Sequence, residues 1–254
     1  MNDAEQKIAL LLDSKLWSYL DNVCDEALST DPSSSYAIYA KGLLKLKDLR
    51  LEEAKSLFLI SLEKTPNSIL PICGLHLYYY LNGDYQNAKR YIEEAVSKAP
   101  GSIDIQTSRA WFYLKENKID MAEIALEEAS LIDPNFEKLL NAKLYYSHES
   151  PSIKTPELKA LCFEVLKQFP NNLLAHCYLG EIYFTANKLD KAEEHYKTCL
   201  KIAPSDMTER LLLAIQSKKN NSPNFSLISW VIKRKLKKLF IPGVKDREKR
   251  KINW

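Results

Sequence analysis

Glycine is scarce in this chain, with 6 among 254 residues. Phosphate-cradling loops and nucleophile elbows need glycine where the backbone turns sharply or approaches a ligand. No G-x-G-x-x-G, P-loop or G-x-S-x-G pattern occurs. The same scarcity disfavours glycine-punctuated α/β enzymes and favours continuous helix. There is no Cys-x-x-Cys pair, and the 5 cysteines (Cys24, Cys73, Cys162, Cys177, Cys199) are odd in number. Most stand at apolar positions, which reads as buried thiols in a reducing compartment. Met1-Asn2-Asp3-Ala4-Glu5 has neither the basic start nor the apolar run of a secretory signal. The most apolar stretch, Ile69 to Leu81, contains Pro71 and His76 and is too short to span a bilayer. The expectation is a soluble cytoplasmic protein.

What is present is periodicity. Pro32, Pro66, Pro100, Pro134, Pro170 and Pro204 lie 34, 34, 34, 36 and 34 residues apart. A fixed period in this range means stacked helical hairpins. Twelve residues before four of these prolines stand Ala54, Ala88, Ala122 and Ala192. Phe58, Ile92, Leu126 and Tyr196 stand eight before, and Ser61, Ala95, Ala129 and Cys199 five before. Small residues let helices approach, the large residue fills the space between them, and proline ends the second helix. Asn67, Asp133 and Ser205 suit the turn and the next amino-terminal cap. The segments Leu81-Asn82-Gly83-Asp84-Tyr85, Glu116-Asn117-Lys118-Ile119 and Ala186-Asn187-Lys188-Leu189 offer Gly or Asn for a left-handed helix end.

Tyr79, Tyr113 and Tyr183 each precede their repeat alanine by nine residues, and Leu179-Gly180 with Tyr183 reads L-G-x2-Y. On these residues the chain resembles the tetratricopeptide repeat family, most closely over His176 to Pro204 and Leu75 to Pro100. The usual early tryptophan is absent; Ile38, Ile72, Gln106, Leu140 and His176 take its place. The resemblance implies an all-α solenoid wound as a right-handed superhelix over residues 1–217. Its units fall near 1–34, 35–68, 69–102, 103–136, 137–172 and 173–206, with a cap at 207–217. The fifth unit is two residues longer. Ser147 to Pro151 and Thr155-Pro156 read as a surface loop there, with Thr155 capping a helix that starts near Pro156.

In this family the first helices line a concave face. By resemblance, the inward positions here are Tyr36, Tyr39 and Leu43; Cys73, Leu77 and Tyr80; and Thr107, Trp111 and Leu114. Asn141, Tyr145 and His148, then Glu181 and Phe184, continue the series. The Lys, Arg and Asn set with which some family members grip acidic chaperone tails is missing. An aromatic groove remains, suited to a protein or peptide partner and above all to an amphipathic helix. Glu93-Glu94, Glu127-Glu128 and Glu193-Glu194 recur at one phase and read as solubilising surface rather than catalytic pairs. His195 lies one turn from Cys199, yet the repeat phase turns His195 outward, so neither metal nor cofactor is expected. An enzyme is the weaker class, reduced to His148 and Glu149 in the fifth unit.

Residues 218–254 hold twelve Lys or Arg against Asp246 and Glu248, a charge of +10. Since the whole chain is +3, the repeat body is −7. From about Phe225 to Phe240 a helical pattern aligns Phe225, Ile228, Ile232, Leu236 and Leu239, with Lys233, Arg234, Lys237 and Lys238 mainly opposite. Four roles suit such a helix. It can cap the repeats, lie on an anionic membrane with Trp230 at the interface, or bind a protein such as a neighbouring copy in a homo-oligomer. Nucleic acid is the least favoured, because the segment has no recognition fold.

Overall fold

Each proline of the grid stands two residues after a helix ends. The computed structural model describes residues 3–14 and 16–220 and has thirteen α-helices and no strand among them. They are α1 (Asp3–Asp13), α2 (Trp17–Thr30), α3 (Ser35–Lys47), α4 (Leu51–Lys64), α5 (Ile69–Asn82), α6 (Tyr85–Lys98) and α7 (Ile103–Lys115). There follow α8 (Ile119–Ile132), α9 (Glu137–Glu149), α10 (Thr155–Gln168), α11 (Leu173–Thr185), α12 (Leu189–Ile202) and α13 (Asp206–Lys219). The residue before each proline leaves the helix: Asp31, Thr65, Ala99, Asp133, Phe169 and Ala203 have φ between −127° and −150°. Proline's Cδ clashes with a helical neighbour on its amino-terminal side, so the helix stops there.

The other ends are set by left-handed residues. Leu49, Gly83, Asn117 and Asn187 have φ of 60°, 84°, 55° and 58°. The next amide closes back on the helix each time, Arg50 N to Lys45 O, Asp84 N to Tyr79 O and Lys118 N to Tyr113 O all at 2.9 Å, and Lys188 N to Tyr183 O at 2.8 Å. This double-bonded terminus satisfies carbonyls that the helix leaves open. Side chains do the same at several starts. Ser34, Asp84, Asn172 and Ser205 accept from Ala37, Asn87, Ala175 and Met207 backbone N–H groups. Asp133 instead serves the turn, accepting from Asn135 N–H at 2.9 Å.

Two compact units divide within α7, between Arg109 and Ala110. In the amino-terminal unit each helix packs on the next from α1 to α6, and α3 also touches α1 and α5. Its centre is Phe58 on α4, fully buried. A Cβ on Gly42 or on Gly74 would lie 2.5 Å from that ring, so α3 and α5 close on Phe58 only because both positions lack one. Burying such a ring contributes about 3–5 kcal/mol as judged by truncation.

In the carboxyl-terminal unit α8 packs on α9, α9 on α10 and α11, and the order continues to α13. Tyr196 on α12 repeats the role of Phe58, with a Cβ on Gly180 placed 2.8 Å from its ring. Leu144, Cys162, Val165, Tyr178, Leu179 and Ile215 complete this core.

The fifth-unit loop is shorter than expected. Ser147, His148 and Glu149 form the last turn of α9, held by Ser150 N–H to Tyr146 O at 2.8 Å, and only residues 150–154 connect to α10. Thr155 is the first residue of α10 rather than its cap; Lys154 N–H donates to the Glu157 carboxylate at 3.3 Å. Ser147 is buried in this last turn. The expected amphipathic segment over 225–240, with Trp230, Lys233, Arg234, Lys237 and Lys238, lies outside the described residues.

Candidate functional site

In the amino-terminal unit the expected inward positions of α3 and α5 are half-buried. Tyr36, Tyr39, Leu43, Cys73, Leu77 and Tyr80 all fall in this class, whereas Thr107 on α7 is buried. Tyr39 bridges Tyr36 at 6.3 Å and Phe58 at 5.8 Å between ring centroids. Tyr80 sits 5.7 Å from Tyr85 and 6.4 Å from His76. Burial pushes the Cys73 thiol up to about 11, with Asp104 adding to it, so this cysteine is a neutral apolar group.

The carboxyl-terminal unit brings the remaining positions into closer contact. Trp111, half-buried on the last turns of α7, meets Tyr145 of α9 with centroids 5.4 Å apart. Lys115, one turn on from Trp111, lies over both rings, its Nζ 5.1 Å from the first and 4.5 Å from the second. Burial draws the Lys115 amine down to about 8, against the opposing charge of Glu149. Aromatic faces attract a cation and help to offset that desolvation. Tyr145 itself is buried, as is Leu114 on α7, so they back the surface while Trp111 and Lys115 form it.

One turn along α9, His148 stacks on Tyr178 of α11 at 4.4 Å and 10°. Its Nδ1 donates to Glu149 at 2.8 Å and its Nε2 to Glu181 at 3.2 Å. Burial lowers the pKa of the imidazole, but the two carboxylates outweigh it and raise the group to about 9. With both nitrogens donating, the ring is an imidazolium at neutral pH. Asn141 accepts from Asn172 at 2.8 Å, and Lys218 of α13 lies 4.9 Å over the Phe184 ring. Half-exposed aromatics thus alternate with cations held by rings or carboxylates.

A general base must be neutral near its working pH. His148 is locked in the opposite state by Glu149 and Glu181. The repeat phase missed Lys115, which stands one position after Leu114, and Lys218, which lies on the cap helix α13 beyond the inward set. The signal was available for Lys115, since Trp111 and Lys115 are four apart on one helix face.

His195 corrects an expectation. It turns inward, its ring stacked 5.5 Å from Tyr183 and its Nδ1 2.9 Å from Nδ1 of His176. Its apolar edge is better covered against Tyr183 than in water, and burial followed by the His176 charge lowers its pKa. Cys177 and Cys199 lie 3.3 Å apart, both free and buried. No three metal-ligating side chains converge among the described residues. No helix among them is long and apolar enough to cross a membrane.

Comparison with known proteins bears on this geometry. Tetratricopeptide repeat family models match residues 174–206 and 79–143. The anaphase-promoting complex subunit CDC16 of Saccharomyces cerevisiae is 23% identical over 164 residues, 64% of this chain. The match spans 16% of that protein's length. Among solved structures, the Cut9–Hcn1 hetero-tetramer of the APC/C aligns with a TM-score of 0.74 at 15% identity, over 90% of this chain and 48% of that one. PilF of Pseudomonas aeruginosa aligns at 0.65 and 16%, over 80% and 92%. Yeast Tom70 aligns at 0.65 and 18%, over 86% and 45%. At these identities the structural likenesses establish a solenoid of helical hairpins.

Proposed function

This chain belongs to the tetratricopeptide repeat family, whose members generally mediate protein–protein interaction, and we propose that it is a non-enzymatic adaptor. Its ligand is a peptide or amphipathic helix laid along the inward faces of the first helices within the carboxyl-terminal unit, over Trp111, α9 and α11. The observation that carries this reading is the Trp111–Lys115–Tyr145 cluster, a half-buried aromatic with a cation held against it and a buried ring behind. Large rigid rings anchor partners at low entropic cost, and Trp, Tyr and Arg dominate binding hot spots for that reason. Similarity to a subunit of a multi-protein complex supports the same class of function.

His148, Glu149 and Glu181 supply polarity beside the anchor. An apolar helix face would cover Trp111 and Phe184, while a basic or amide side chain at its edge would meet Glu181. The test is selection of peptides from a random displayed library on the full chain, followed by titration of the selected peptides. Trp111→Ala should weaken them at least tenfold, about 1.4 kcal/mol, with the helical spectrum unchanged. Peptides that bind Trp111→Ala and Phe184→Ala as tightly as the parent would remove this face from the reading.

A further inference from the structure

The helix α8 departs from its counterparts in charge. Its sequence carries Asp120, Glu123, Glu127 and Glu128 and no Lys or Arg. By contrast α6 and α12 set Lys and Arg among their glutamates. Its outer face is also apolar, with Met121 41%, Ile124 50% and Leu131 87% exposed. At 100° per residue these three side chains fall within about 80° of one another, on one side of the helix that also carries Glu128.

Next to these side chains a groove of about 620 Å³ opens between α8, α9 and α10. Leu126, Leu131, Tyr146 and Leu161 give its apolar walls; Glu123 and Glu127 stand on its α8 side and Lys143 on its α9 side. The whole feature lies within the carboxyl-terminal unit. Exposed leucine and isoleucine among carboxylates, on a helix without cations, have the form of a receptor for a basic amphipathic helix.

We infer that this groove receives the chain's own carboxyl-terminal segment, residues 225–240. The complementarity is twofold. Phe225, Ile228, Ile232, Leu236 and Leu239 match the apolar walls, and Lys233, Arg234, Lys237 and Lys238 match the acidic side. The charges are also matched in the whole chain, −7 over residues 1–217 and +10 over residues 218–254. Thirty-four residues follow Asn220, at the end of the same unit that carries the groove. The segment is delivered within one molecule.

Treatment of the full chain with a water-soluble carbodiimide tests this, because it condenses a lysine amine with a carboxylate only when the two touch. Mass spectrometry should find Lys233, Lys237 or Lys238 joined to Glu123 or Glu127 in monomeric products; joined products confined to dimers would assign the groove to a second copy instead. The pair Glu93-Glu94, which stands as far before Pro100 as Glu127-Glu128 stands before Pro134, is the internal control and should be joined to the tail lysines at least fivefold less. Leu131→Asp and Ile232→Asp should each reduce the α8 products at least fivefold. Leu131 is so exposed that its replacement leaves the fold intact, as an unchanged melting curve would verify. Equal joining to the control glutamates, or products indifferent to both substitutions, would reduce the contact to non-specific attraction and overturn the inference. So would an absence of α8 products together with flotation of the full chain on vesicles containing phosphatidylserine, which assigns the tail to a membrane instead.

Discussion

A single methyl group separates a tight hairpin from a strained one at three positions. Gly42 and Gly74 flank Phe58, and Gly180 faces Tyr196. Gly74→Ala gains about 1 kcal/mol of helix propensity. It also drives a Cβ to 2.5 Å from the Phe58 ring, in a core where overpacking costs about 1–3 kcal/mol. Urea denaturation should therefore show Gly74→Ala destabilised by up to about 2 kcal/mol. Combination with Phe58→Leu should cost less than the sum of the two changes, because the smaller side chain vacates the contested space. Leu49 shows the opposite economy: a left-handed φ of 60° on a leucine, tolerated because the Arg50 amide closes the helix end as glycine or asparagine does elsewhere.

Between elements, an ion pair in the carboxyl-terminal unit joins α9 to α11 through His148 and Glu181 at 3.2 Å. The folded-state pKa of His148, about 9, is above its ordinary value of 6.5. Its contribution is therefore complete below pH 6.5 and is lost as pH rises through 9, on the order of 2 kcal/mol in all. Lys115 runs the other way, since its pKa is lowered to about 8 and its penalty disappears as pH rises. The two partly cancel in the parent protein. Denaturation midpoints from pH 6 to 10 should consequently differ between parent and His148→Gln, the gap being widest at pH 6 and nearly closed at pH 10. A gap independent of pH would mean that His148 acts by packing on Tyr178 alone.

At the scale of the molecule, stacked hairpins touch only their neighbours, so disturbance stays local. Gly180→Ala should accelerate amide exchange across α11 and α12, where Tyr196 is displaced, and leave α3 and α4 protected as before. Uniform acceleration along the chain would indicate global cooperativity instead. The divided charge is also a property at this scale. A basic tail on an acidic repeat body attracts over roughly 10 Å at moderate salt, so tail contacts should weaken as salt rises.

Much of the fold was legible in the residues alone. Proline dictates where a helix stops whatever surrounds it, and the helices end two residues before each proline of the grid. Gly83, Asn117 and Asn187 were readable as helix ends because left-handed backbone favours those residue types. These are local steric rules, carried by the chain wherever it goes. Tertiary structure decided the rest. Leu49 takes the left-handed turn without any such signal, and α9 runs on through Ser147, whose side chain is buried. His195 turns inward to Tyr183, and Lys115 lies across two rings from different helices. The apolar face of α8 becomes one wall of a groove only when α9 and α10 stand beside it. Burial, ring contact and shifted protonation are sums over neighbours distant in sequence, and no local pattern fixes which neighbours those are.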